Sequence, residues 1–432
     1  MTPGEDPLAW LYGRATGGIR WGLERTEELL AGVGDPHRRF RSVHVGGTNG
    51  KGSVAALCES VLRKADPGRR VGMYTSPHLV RFAERIRVQG APVDDALLAR
   101  CVERLRPDIE RTGATFFEAA TAIAFLCFAE AGVEVALVEV GLGGRLDSTN
   151  VVTPLAAAVT NVARDHTEFL GDTPGEIAWE KAGIWKPGVP AVTGETDPGA
   201  LRVLRERADA VGAPFRALDE VASVEDVRVA SSGTTFRLGS RAWGEHEVRV
   251  PLVGAHQARN AALAAELLAL LPHGLRPAWE DVERGFAAAR WPGRFQVAEL
   301  RGTTFVLDVA HNPAGVAALA ATLDAVELPR PLVLVAGILS DKEWSEMLPP
   351  LLARADAAIL TVAPTAPEER RWDPAGVAAV LPPEVRIPVR VIPALEAAIS
   401  RAITLAPYGT VLVTGSVHTV GDALPLLGLP GL

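Results

Sequence analysis

The stretch RSVHVGGTNGKGSVAALCESVLRKA, residues 41–65, decides how this chain is read. A short apolar run enters a glycine-rich turn and leaves it with helical spacing, which predicts strand, loop and helix. The usual phosphate-loop spelling, G-x-x-x-x-G-K-[ST], is missed twice. Val45 stands where the first glycine belongs, and Gly52 separates Lys51 from Ser53. Yet the four glycines at 46, 47, 50 and 52 let successive backbone N–H groups turn toward an anion, and the helix adds the positive end of its dipole. Lys51 supplies a cation for phosphate, and Ser53 a hydroxyl for Mg²⁺. A plain turn needs none of these, so the loop predicts a nucleotide site.

Working outward, VGMYT (71–75), VEVALVEV (133–140) and LAAAVTNV (155–162) read as further buried strands, with helical segments such as FFEAATAIAFLCFAEA (116–131) between them. That alternation predicts an α/β fold with a mostly parallel sheet and helices on both faces. Each strand ends in a polar motif: SPHL, GLGGRLD and ARDHTEFLG. Ligands bind at those carboxyl ends in open α/β sheets. Residues 213–253 alternate in short segments and predict added antiparallel strands, and GAHQARNAALAAELLALL (254–271) is a helix. After the turn-like RWPGRFQ (290–296), a second strand–helix series predicts a smaller, Rossmann-like domain. The expected division is 1–291, a P-loop-type domain, and 292–432.

At 432 residues the chain is too long for one ordinary core. Its 48% hydrophobic and 22% charged residues describe a packed globular protein. A net charge of −8 argues against non-specific affinity for nucleic acid or membranes. No leader pattern or membrane-length apolar run is present, so a cytoplasmic protein is expected. The three cysteines are far apart, with no histidine at ligand spacing. Of 44 basic residues only five are lysines: 51, 64, 181, 186 and 342. In such a chain a retained lysine marks a position where a permanently charged, planar guanidinium cannot serve.

Several motifs carry chemistry. Glu139 ends a buried strand, a costly place for a carboxylate unless a cation or partner is near. Reading GLGG (141–144) as a dinucleotide fingerprint fails, because Leu146 holds the third glycine position. His166 follows a strand beside the loop, and Ser76 and His78 lie at another strand end, where a hydroxyl or the backbone turn could face the same metal. Lys181 neighbours Glu180. A surface ion pair would suit arginine equally well, so the lysine favours an amine that CO₂ can convert to a carbamate, an oxygen ligand for Mg²⁺.

Together GTNGKGS (47–53), TSPHL (75–79), EVGLGGRLDSTN (139–150), DHTEFLG (165–171), EKAGI (180–184), HQARNAAL (256–263), PGRFQ (292–296) and DVAHNP (308–313) resemble the folylpolyglutamate synthase family, including its bifunctional dihydrofolate synthase members, within the Mur ligases. The resemblance runs from Trp21 to Thr419, and the family spells its loop with glycine between lysine and the hydroxyl residue. It implies an ATP-dependent amide ligase that joins L-glutamate to dihydropteroate or a reduced folate through an acyl phosphate. It further implies that Gly47, Thr48, Asn49, Gly50, Lys51, Gly52 and Ser53 hold the ATP phosphates, with Asn260, Arg294 and Asp308 completing the site. Two Mg²⁺ ions are implied on Ser53, Ser76, Glu139, His166 and a carbamylated Lys181. His311 would place the incoming glutamate, with Ser416 and Lys342 on the glutamate and phosphate side. Ile19, Arg20, Thr115, Phe116, Phe117, Glu118 and Asp147 would contact the pteroate. A monomer acting on small molecules is expected.

Overall fold

The structure, a computed structural model, describes residues 7–14, 18 and 20–431. Eight strands form the first sheet: β1 (Arg41–Gly46), β2 (Val71–Tyr74), β3 (Ile86–Val88), β4 (Ala91–Pro92), β5 (Val135–Glu139), β6 (Ala156–Val159), β7 (Ala191–Thr193) and β8 (Phe215–Ala217). Their order is β4-β3-β2-β5-β1-β6-β7-β8. All neighbours pair in parallel except the β2–β3–β4 edge, which is antiparallel.

The central strands are buried on both faces because alternate side chains feed two different cores. Val43, Val45, Val135 and Leu137 join helices Lys51–Ala65 and Ala255–Ala269 on one side. Ala136 and Val138 join helix Phe116–Glu130 on the other. That helix is apolar all round, with Glu118–Phe128 buried, as expected of an element with no solvent face.

Three antiparallel strands follow: β9 (Ala222–Ala230), β10 (Gly233–Ser240) and β11 (Gly244–Val250). The second large sheet contains β12 (Gln296–Leu300), β13 (Thr303–Asp308), β14 (Leu332–Ala336), β15 (Ala357–Val362), β16 (Val389–Ala394) and β17 (Thr410–Thr414). Its order is β12-β13-β17-β14-β15-β16, parallel apart from the β12 edge. Apolar clusters cover both its faces. The α/β reading of the chain agrees with this architecture. Strands β7, β8, β12 and β16 escape the sequence pattern because they are three residues long or half-exposed at an edge.

Candidate active site

The glycine-rich loop between β1 and helix Lys51–Ala65 is pinned by the chain that follows β6. Thr48 N–H donates to the Asn161 carbonyl at 2.9 Å, and Asn49 N–H to Asn161 Oδ1 at 3.0 Å. Thr160 Oγ1 and Asn161 Nδ2 both donate to the Asn49 carbonyl, at 2.6 and 3.0 Å. Gly50 begins the helix at φ 84°, a left-handed conformation that favours glycine. Gly52, the residue that spoils the standard spelling, has a neighbour that explains it: a Cβ there would lie 2.6 Å from Trp291 Cζ2. Lys51 Nζ rests on the Thr48 carbonyl at 3.0 Å, beside the loop's inward face.

Beyond the loop, Glu139 ends β5 and is buried, its Oε2 accepting the Ser76 N–H at 3.2 Å. Burial raises its carboxyl above the ordinary range, while Lys51 and that N–H pull it back. Lys181 closes helix Pro174–Lys181 and is also buried. Its amine has no ion-pair or hydrogen-bond partner among the described residues. Burial pushes its ammonium down to about 7, with Lys51 adding to the push and Asp165 opposing it. Glu180 turns away to Arg145, at 2.9 Å, so no Glu180–Lys181 pair forms. His166 is more open, with its side chain 39% exposed; partial desolvation pushes it down to about 4 against the pull of Asp165, which favours the neutral imidazole.

The second lobe closes the cleft. Arg294 and Asp308 are half-buried, and the arginine's charge favours the ionised carboxylate; Asp308 accepts N–H groups of Phe295 and Ala310, both at 2.8 Å. His311 Nδ1 lies 2.9 Å from the Val309 carbonyl, and Nε2 lies 3.6 Å from Asp165. Lys342 reaches Asp165 at 2.7 Å. The resulting cleft has a volume of about 450 Å³. Residues 47–53, Ser76, Glu139, His166, Lys181, Asn260, Arg294, Asp308 and His311 all line it.

A phosphate-type loop, a buried unpaired carboxylate and a buried amine thus face a second α/β lobe across one cleft. The Mur ligase middle domain model matches residues 45–268, and the Mur ligase glutamate ligase domain model matches 293–417. A Bacillus subtilis dihydrofolate synthase/folylpolyglutamate synthase is 38% identical, over 81% of this chain and 82% of its own. The chain belongs to the folylpolyglutamate/dihydrofolate synthase family of Mur ligases. Mycobacterium tuberculosis folylpolyglutamate synthase complexed with ADP superposes with a TM-score of 0.89, at 33% identity over 99% of both chains. An E. coli FolC in complex with DHPP and ADP gives 0.86, at 30% identity over 98% of both.

In this Mur ligase the residues that the resemblance assigns to pteroate form a second group outside the cleft wall. Ile19 lies outside the described residues. Arg20 bonds the Gly113 carbonyl at 3.4 Å and receives Arg25 on its own carbonyl. Arg25 pairs with Glu118 at 2.9 Å, so the two segments lie side by side. Thr115 and Glu118 also cap helix Phe116–Glu130 reciprocally, a role that T-x-x-E ahead of an apolar run could have announced. Phe116 stacks on Tyr12 with centroids 5.8 Å apart, and Phe117 fills the space behind Gly141. Asp147 accepts the N–H groups of Leu142 and Thr149, at 2.8 and 3.0 Å. Ser416 caps helix Val417–Leu426.

His78 Nδ1 takes Arg85 Nε at 2.8 Å, and its Nε2 meets the Tyr12 hydroxyl at 3.2 Å, so its ring belongs to that local network. Asp165, Asn161, His256 and Asn312 were passed over. All four lie inside quoted stretches, but a single sequence gives no sign of which residue of a motif turns inward.

Proposed function

We propose that the chain is an ATP-dependent ligase that joins L-glutamate to the carboxylate of dihydropteroate or a reduced folate. The observation that carries this is the single cleft in which the Gly47–Ser53 loop, Glu139 and Lys181 face Arg294, Asp308 and His311. A carboxylate is a poor electrophile because oxide leaves badly. Transfer of the γ-phosphoryl group from ATP gives an acyl phosphate and ADP. The glutamate amine then attacks the acyl carbon, phosphate departs and an amide forms. Such a reaction depends on positioning and on neutralising phosphate charge.

Residues 47–53 are assigned to the phosphates, with Asn260, Arg294 and Asp308 completing the nucleotide site. His311 and Ser416 are assigned to the incoming glutamate, and Arg20, Thr115–Glu118 and Asp147 to the pteroate. Mg²⁺ takes oxygen donors, typically one or two carboxylates together with substrate phosphates. Among the described residues no group of three His, Cys, Asp or Glu side chains is placed to hold an ion alone. Glu139, the Ser53 and Ser76 hydroxyls and His166 make the partial set that suits an ion arriving with its nucleotide. Such an ion, when bound, would neutralise phosphate charge. A neutral fraction of the Lys181 amine near pH 7 supports its conversion to a carbamate, which would serve a second ion.

Domains 1–291 and 292–432, a cytoplasmic location and a monomer without nucleic-acid or membrane partners complete the proposal. Among the described residues no helix is long and apolar enough to cross a membrane. Purified protein is expected to release phosphate only with ATP, Mg²⁺, glutamate and either dihydropteroate or tetrahydrofolate together. Release from ATP alone at the same rate would mark a plain nucleotide hydrolase and sink the proposal.

A further inference from the structure

Asp165 joins the two lobes. Its side chain is only one-tenth exposed and lies between β6 and the turn Thr167–Leu170. Its Oδ1 accepts Lys342 Nζ at 2.7 Å, and its Oδ2 accepts Asn312 Nδ2 at 3.0 Å. Both donors come from the far lobe, Lys342 after β14 and Asn312 after β13.

Asn312 carries the connection onward. Its Oδ1 accepts Gly315 N–H at 2.7 Å, capping helix Pro313–Ala325 and fixing which way the amide points. The same amide pairs with Asn49 of the phosphate loop: Asn312 Nδ2 to Asn49 Oδ1 at 3.0 Å, and Asn49 Nδ2 to Asn312 Oδ1 at 3.3 Å. A continuous polar line therefore runs from Lys342 through Asp165 and Asn312 to Asn49. Lys342 and Asp165 are both nearly buried, so removing one leaves the other uncompensated, whereas removing both is far milder.

We propose that Asp165 is a positioning residue that docks the C-terminal lobe onto the phosphate loop, using Lys342 and Asn312 to hold Asn49 in its nucleotide-binding place. This rests on the reading of the cleft as a nucleotide site, and it assigns to a side chain beside a candidate metal ligand the separate task of lobe alignment. Asp165→Asn leaves Lys342 unpaired, so loss of folding could obscure its effect. Two other full-length variants avoid this. Asp165→Asn/Lys342→Met removes both charges, and Asn312→Ser keeps a helix-capping oxygen but cannot reach Asn49.

The measurement is calorimetric binding of MgADP, with melting temperature alongside and the KM for ATP as a kinetic check. Both variants are expected to melt near the wild type yet to bind MgADP about tenfold more weakly, with a matching rise in KM, as for coupling through one network. Wild-type affinity in either variant would overturn the proposal, because a purely structural pair would recover binding along with stability. Failure of the wild type to bind MgADP would bring down the nucleotide reading itself, a different and distinguishable result.

Discussion

Asp165 and Lys342 meet at 2.7 Å across the lobes, whereas Glu139 and Lys181, in the same cleft, have no oppositely charged partner at ion-pair distance among the described residues. All four are largely buried, so the difference lies in pairing and not in exposure. Burial alone would raise Asp165, but contacts with His311, His166 and Lys342 hold it well below the usual carboxylate range. Nothing comparable holds Glu139 or Lys181, and burial drives both toward their neutral forms. A buried charge without a partner is a standing cost. The paired set can therefore be read as architecture and the unpaired set as places kept for a ligand.

The sharpest way to break this contrast is Lys181→Ala. Ligation is expected to fall about 10³-fold, the upper end for losing one electrostatic group from an active site, with partial return on adding short carboxylic acids. Lys181→Arg should be as poor, since a guanidinium forms no carbamate. Near-wild-type turnover in either would place Lys181 with the structural charges.

Glu139→Gln comes next, with turnover expected to fall about 10²-fold and the Mg²⁺ requirement to rise, read from a Mg²⁺ titration of the rate. Asp308→Asn and His311→Ala should likewise cost turnover far more than melting temperature.

A titration tests the same idea more gently. Carbon dioxide attacks the neutral amine, so ¹³C-bicarbonate labelling of Lys181 should grow as pH rises through about 7. Stability should follow with a defined sign. The folded value of about 7 lies below the 10.5 of a free lysine, so between those pH values the unfolded chain binds more protons. Burial of Lys181 is then most costly below pH 7, and the cost fades toward pH 10.5. Lys181→Met should flatten that part of the melting-temperature profile, and an unchanged slope would count against a depressed Lys181.

The smallest effect is expected at the exposed Arg205–Glu220 pair, where Arg205→Ala should change stability by less than ~1 kcal/mol. A larger loss there would show that pairing, rather than burial with pairing, governs these charges.

Much of this was legible in residue order. An apolar run, a glycine turn and a helical spacing placed the loop, and polar motifs at strand ends placed Glu139, His166 and Asp308 around it. Lysine scarcity drew attention to Lys181, and the family resemblance to Lys342. What stayed hidden depended on contacts distant in sequence. The family's spelling accounts for Gly52, but its physical reason, Trp291 lying where a Cβ would point, is 239 positions away in the chain. The ring of His78 finds Arg85 and Tyr12, partners that its place beside Ser76 does not announce.

The sequence by itself determined the α/β alternation and the kind of chemistry at each strand end, because side-chain periodicity and backbone freedom act over a few residues. Only the tertiary structure decided which charges find partners. Asp165 meets a lysine 177 positions away, and Asn49 an asparagine 263 away. Coulomb attraction and desolvation act through space, and distance along the chain does not enter them.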